Sequence, residues 1–280
     1  MSLEQTSSIV LQNTKISLSE AGKGLPVLCL HGNPGSKSTF SEMMKLLDNT
    51  NIKLLALDRP GHNSTEELLG DKNDLWHDAS VYSELIDKKL GGKSWILGHS
   101  YGCLTALKIA VKYPEKVRGI LMINPMIVPN SSRESCSWIP SLAKGAILGT
   151  FFGVFLPNEY HEFFTEYMKN MYLPGKASAD DEERWVQRFS RFESVIAYLT
   201  DKNTQIRICS ELSENVKNLN IPVYVLFGEK DALYDLKRQQ DFISVIPGAK
   251  SETKEDAGHY MPVLNAEACV DFLKKNLPTS

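Results

Sequence analysis

One serine lies between two glycines in GHSYG (98–102), directly after the apolar run SWIL and directly before CLTALKIAVKY. A serine hydroxyl is a weak nucleophile at neutral pH; it needs a base within hydrogen-bond reach and a group that orients the base. The flanks put Ser100 where such groups can converge. SWIL, with Trp95 and Ile96, reads as a buried strand. The following segment carries Leu104, Leu107, Ile109, Ala110 and Val111, a pattern of a helix buried on most sides. Ser100 therefore occupies a strand-to-helix turn whose central residue is held in strained dihedrals. The glycines on either side remove side chains that would collide in so tight a turn. A hydroxyl pushed out above the end of a strand in this way has the geometry of a nucleophile elbow.

Six histidines could supply the base: His31, His62, His77, His99, His161 and His259. His99 precedes the serine on the strand and points the opposite way. His77 and His161 sit in helical patterns. His31 and His62 lie in turns after strands, and His259 lies in EDAGHYMPVLNAE, a glycine-containing loop before the last helix. All three of these are on the side of the sheet where the elbow opens. The acid must also come from the end of a strand. VYVLFGEKDALY provides it: the strand ends near Phe227, Gly228 makes the turn, and Asp231 follows. Tyr101, after the serine, opens a helix with its amide unused, a donor able to meet negative charge on a substrate oxygen.

The elements that position these residues alternate between strand and helix. SSIVLQ and TKISLSEAG alternate polar and apolar residues, as an edge hairpin does. PVLCLHG (26–32) and IKLLALD (52–58) read as buried strands, with TFSEMMKLLDN between them as an amphipathic helix. DLWHDASVYSELIDKKL is a further helix and VRGILMINP a further strand. This order implies a parallel sheet with helices on both faces. From about 127 to 205 the chain reads as helices and loops rich in aromatic residues, and the alternation resumes with IPVYVLFGEKD before a closing helix, NAEACVDFLKKNL. The expectation is one α/β core, residues 1–127 and 206–280, with a helical cap, 128–205, inserted after the sixth strand.

Composition narrows the class of protein. The 280 residues carry a net charge of −3 and no cluster of lysine or arginine, so nothing points to nucleic acid. The opening MSLEQTSSIV lacks a basic segment followed by an apolar stretch. The five cysteines, Cys29, Cys103, Cys136, Cys209 and Cys269, are widely spaced with no C-x-x-C, as expected for buried thiols in a reducing, cytoplasmic compartment. No metal-ligand spacing occurs. The most apolar stretch, AILGTFFGVFL (146–156), is well short of the ~20 residues of a membrane span and reads as a pocket-lining or lid element.

Five segments, in this order, carry a resemblance: HGNPGS after the third strand, DRPGHNS after the fourth, GHSYG at the elbow, FGEKD for an acid and AGHYMPV for a base. Together they resemble the α/β-hydrolase superfamily, capped and esterase- or lipase-like, over nearly the whole chain. Ser100, Asp231 and His259 then stand in that fold's serine, acid, histidine order. The resemblance implies that these three form the catalytic triad and that the oxyanion is held by the backbone amides of Asn33 and Tyr101. It makes His31 a loop-bracing residue and leaves Asp58, Arg59 and His62 mainly structural. Asn63 stands where the family often has glycine, and Asn tolerates left-handed dihedrals. HGNPGS is also similar to the loop of haloalkane dehalogenases and epoxide hydrolases, but those carry aspartate at the elbow. Proline iminopeptidases usually have tryptophan where this chain has Tyr101.

The resulting expectation is a serine hydrolase acting on a small-molecule carboxylic ester or related acyl substrate. It would work without a cofactor or metal, as a monomer or homodimer. A carbon–carbon bond hydrolase and an aminopeptidase-type hydrolase use the same fold, and a non-catalytic ligand receptor on a hydrolase scaffold is the reading from another class.

Overall fold

The computed structural model describes residues 4–63, 65, 76, 78–126, 157–189 and 192–278. Eight strands form one sheet: β1 (Gln5–Leu11), β2 (Thr14–Gly22), β3 (Leu25–Leu30), β4 (Ile52–Leu57), β5 (Ser94–His99), β6 (Val117–Ile123), β7 (Val223–Gly228) and β8 (Lys250–Lys254). Their spatial order is β1-β2-β4-β3-β5-β6-β7-β8. β1 pairs antiparallel with β2, and β2 with β4; every other pairing is parallel. The hairpin turn is made by Gln12 and Asn13, at φ +46° and +61°, the left-handed pair that suits a two-residue turn between right-twisted strands.

Strand side chains alternate between the two faces, and each face buries its own hydrophobic core. Leu28, Leu30, Leu55, Leu57 and Ile96 join one core. Helices α2 (Ala79–Leu90) and α3 (Tyr101–Lys112) cover it, with Leu85, Leu104 and Leu107 fully or almost fully buried. Val27, Cys29, Leu54, Ala56 and Leu97 face the other core. There they meet Met43 and Met44 of α1 (Ser41–Lys45) and Cys269, Phe272 and Leu273 of the C-terminal helix (Ala266–Asn276). A sheet buried on both sides explains why its central strands read as continuous apolar runs.

After β6 come three described helices, α4 (Pro157–Tyr172), α5 (Ala179–Phe189) and α6 (Phe192–Asn215), before the chain returns to the sheet at β7. α6 runs through position 205, where the sequence pattern sets the end of the insertion. The stretch AILGTFFGVFL (146–156) and Cys136 lie outside the described residues. Beyond β7 lie α7 (Leu236–Ile243), α8 (Met261–Leu264) and the C-terminal helix, α9. Among the described residues, no helix is long and apolar enough to cross a membrane.

Two elements differ from the sequence pattern. The helix expected over TFSEMMKLLDN is a single 3-10 turn, Lys37–Phe40, followed by the five residues of α1. Its apolar side chains still reach the core, but the backbone leaves the helix at Leu46 and turns through Asn49 at φ +60°. β8, sequence KSETK, has no apolar alternation because it is an exposed edge strand paired only with β7.

Candidate active site

β5 ends at His99, α3 begins at Tyr101, and Ser100 alone makes the turn, with φ +54° and ψ −121°. A positive φ is costly for a residue with a Cβ, so the surroundings must hold it. The Ser100 amide donates to Ile123 O on β6 at 3.1 Å, while its carbonyl accepts from Cys103 N at 3.0 Å and Met126 N at 3.2 Å. α3 must leave β5 steeply and pass close to β3. A Cβ at Gly102 would be driven into the Leu30 carbonyl, which explains glycine there.

His259 lies 28 residues after Asp231 and 159 after Ser100, and the fold brings all three together. Its Nδ1 lies 2.7 Å from Asp231 Oδ2 and its Nε2 2.9 Å from Ser100 Oγ. A carboxylate only accepts, so Nδ1 carries the proton and donates to Asp231. Nε2 is then the bare nitrogen, and the Ser100 hydroxyl donates to it. The other carboxylate oxygen, Oδ1, accepts from Leu233 N at 2.8 Å and Tyr234 N at 3.2 Å. The Asp231 carboxylate is thus held by its own loop while it orients the His259 imidazole. Ser100 is 2% exposed and His259 1%.

The loops bearing Asp231 and His259 are stitched together by a residue that the sequence pattern did not single out. Asn124, just past β6, adopts φ +43°. Its Nδ2 donates to Gly258 O at 2.6 Å and His259 O at 2.9 Å, and its Oδ1 accepts from Gly228 N at 2.6 Å. Lys230 N adds a bond to Ala257 O at 2.8 Å. The signal for Asn124 in the sequence was only an asparagine at a strand end before Pro125.

His99 does not touch the serine hydroxyl. It supports the site from below, its Nε2 donating to His259 O at 3.0 Å. Burial, with the nearby His259 ring adding to it, pushes the His99 imidazole down to about 3, so it stays neutral beside His259.

The HGNPGS loop lies against the elbow. A Cβ at Gly32 would stand 2.8 Å from Ser100 Cβ and 3.3 Å from Oγ, so only glycine permits this approach. Asn33 follows directly and is buried; its Nδ2 donates to Tyr198 O of α6 at 3.1 Å, and its carbonyl accepts from Tyr167 Oη of α4 at 3.3 Å. Tyr101 opens α3, so its amide belongs to the N-terminal N–H groups that a helix leaves unused.

His31 is fully occupied away from the serine. Its Nε2 accepts from Arg59 N at 2.9 Å, which leaves Nδ1 as the donor to Gly32 O at 2.8 Å. That arrangement braces the loop and uses both ring nitrogens. His62 contacts Asp201 and Arg59, and Asn63 adopts the left-handed φ of +47°. Asp58 accepts from Lys37 N and Nζ and from Asn63 Nδ2. His77 lies outside the described residues. Among the described residues, no group of three or more His, Cys, Asp or Glu could hold a metal ion.

A family model for the alpha/beta hydrolase fold matches residues 26–266. The chain is similar to "2-hydroxy-6-oxononadienedioate/2-hydroxy-6-oxononatrienedioate hydrolase" of Comamonas testosteroni, 27% identical over 278 residues, covering 94% of this chain and 92% of the relative. It is also similar to Lipase 3 of Moraxella sp. (strain TA144), 21% identical over 247 residues, covering 87% of this chain and 74% of the relative. In three dimensions it shares its fold with an alpha/beta hydrolase fold protein from Burkholderia ambifaria, with a TM-score of 0.77, 18% identity and 99% of each chain covered.

Proposed function

The chain belongs to the alpha/beta hydrolase family, and within that family we propose that it is a serine hydrolase cleaving carboxylic esters or related acyl substrates through an acyl-enzyme. The observation that carries the reading is the pair of contacts at His259, 2.9 Å to Ser100 Oγ and 2.7 Å to Asp231 Oδ2, with Ser100 itself held at positive φ. In this reading Ser100 attacks the acyl carbon as His259 Nε2 takes its proton, and Asp231 stabilises the imidazolium. The amides of Asn33 and Tyr101 meet the negative charge that develops on the carbonyl oxygen. His259 then protonates the leaving alcohol. Water, activated by the same nitrogen, releases the acid and restores Ser100.

Residues 128–205 form the helical cap in this proposal. Tyr167 and Tyr198, both buried, come from its described helices and touch the Asn33 segment. An aromatic roof of that kind suits an apolar acyl group and keeps water from the oxyanion.

A second reading is hydrolysis of a carbon–carbon bond in a diketone-type substrate by the same three residues; likeness over nearly the whole chain to a relative named as a hydrolase of a hydroxy-oxo-dienedioate favours it. A panel of p-nitrophenyl esters of graded length, run beside a ring-cleavage product on the native protein and on Ser100→Ala, separates the two. Ester turnover that vanishes in the variant supports the esterase reading. Turnover of the ring-cleavage product with inert esters supports the second reading. Activity retained by Ser100→Ala refutes both.

A further inference from the structure

Outside the Ser100, Asp231 and His259 cluster, a buried charged group joins helix α6 to the loop beneath the reaction centre. Arg59, in the turn after β4, is almost wholly buried. Its Nε donates to His31 O at 3.0 Å and its Nη2 to Gly32 O at 3.2 Å, while its backbone N–H holds the His31 ring. Its Cζ stands 4.6 Å from the centroid of the Tyr101 ring. One guanidinium therefore touches both segments whose amides are the oxyanion donors of the proposed reaction. Nη2 also reaches Asp201 Oδ2 on α6 at 2.6 Å, with His62 Nε2 3.2 Å from that oxygen and 3.2 Å from Nη2. Burial alone would raise the Asp201 carboxyl; the Arg59 charge overrides it, with His62 adding to the effect, and holds the group well below the ordinary carboxylate range.

Asp201 does not act in isolation. Tyr198, three residues earlier on α6, accepts from Asn33 Nδ2 at 3.1 Å, and Thr204 Oγ1, three residues later, lies 3.4 Å from Tyr101 Oη. Residues three apart share one helix face. A single stripe of α6 thus engages Asn33, Arg59 and Tyr101 in turn.

We propose that Asp201 is a positioning residue: by holding Arg59 from helix α6, it sets the backbone of residues 31–33 at the distance from Ser100 that the oxyanion donors require. The proposal rests on the serine hydrolase reading for its kinetic consequence but not for its structural one. A buried guanidinium deprived of its carboxylate must seek other acceptors or water. The carbonyls of His31 and Gly32 move with it, and the Asn33 amide moves with them. Small displacements of a transition-state donor cost rate more than substrate binding.

The test uses the full chain and three variants: Asp201→Asn, Asp201→Glu and the double change Arg59→Met with Asp201→Leu, which replaces the ion pair by apolar side chains and guards against failure to fold. Hydrogen exchange of the amides in residues 31–36 is measured alongside ester kinetics. Asp201→Asn is expected to lower kcat about 10- to 100-fold with KM changed less than about threefold, and to speed exchange in that loop. Asp201→Glu restores most of both, and the folded double variant stays slow. Unchanged exchange in Asp201→Asn overturns the proposal, as does a variant whose loss lies in KM alone. If the native protein turns over no ester, the esterase reading falls, and exchange alone decides: faster exchange upholds Asp201 as the loop's anchor and equal exchange overturns it.

Discussion

Acid should weaken this protein through His99, and the size of the effect follows from its surroundings. In the unfolded chain this imidazole titrates near 6.5; in the folded protein burial, with the nearby His259 ring, holds it down to about 3. Between those values the unfolded state binds a proton that the native state refuses, so stability falls as pH drops below 6.5 and this loss ends near 3. At pH 7.5 the contribution is close to zero. At pH 5.0, 1.5 units below the unfolded value, it amounts to about 2 kcal/mol, a substantial part of a typical folding free energy. His99→Gln removes the titration yet keeps an N–H able to donate to His259 O. Urea unfolding at both pH values, on the native protein and the variant, isolates the term, because every other titrating group is common to the two. The native protein is expected to lose about 2 kcal/mol more than His99→Gln on going from pH 7.5 to 5.0. Equal losses would refute the reasoning.

Two further substitutions test the framework around the site. Asn124→Ala removes three buried hydrogen bonds that tie the Asp231 loop to the His259 loop. It should cost about 2–4 kcal/mol in urea unfolding and slow acyl transfer by at least tenfold; a variant of native stability would contradict the cross-brace. Helix propensity alone predicts that Gly102→Ala stabilises α3 by roughly 0.5–1 kcal/mol. The close approach to Leu30 reverses the sign, so a loss of about 1–3 kcal/mol is expected, and a raised Tm would show that the helix can shift without strain.

Much of the site was legible in the sequence because its parts lie at strand ends with turn chemistry beside them. Ser100 stood out from its glycines and Asp231 from its place after β7, and the resemblance selected His259 over His31 and His62. At His31 both ring nitrogens are used inside the loop. What escaped the sequence depends on contacts between distant segments. Arg59 and Asp201 are 142 positions apart, and Asp201 carries no local signal on a long helix. His99 read as a residue pointing away, which hides its bond to the His259 carbonyl 160 positions on. β8 was invisible because an exposed edge strand needs no apolar face. TFSEMMKLLDN has helical apolar spacing throughout, but the chain must turn back into β4 and shortens the helix to α1.

The central claim is that Ser100 becomes covalently acylated with His259 as its base. Mixing the protein with a short p-nitrophenyl ester, quenching in acid within the first turnover and mapping the digested chain by mass tests it directly. The account predicts one acyl group on the peptide containing Ser100, present in the native protein and absent from His259→Ala. An unmodified Ser100 in protein that is turning the ester over, or an acyl group on another side chain, would contradict it.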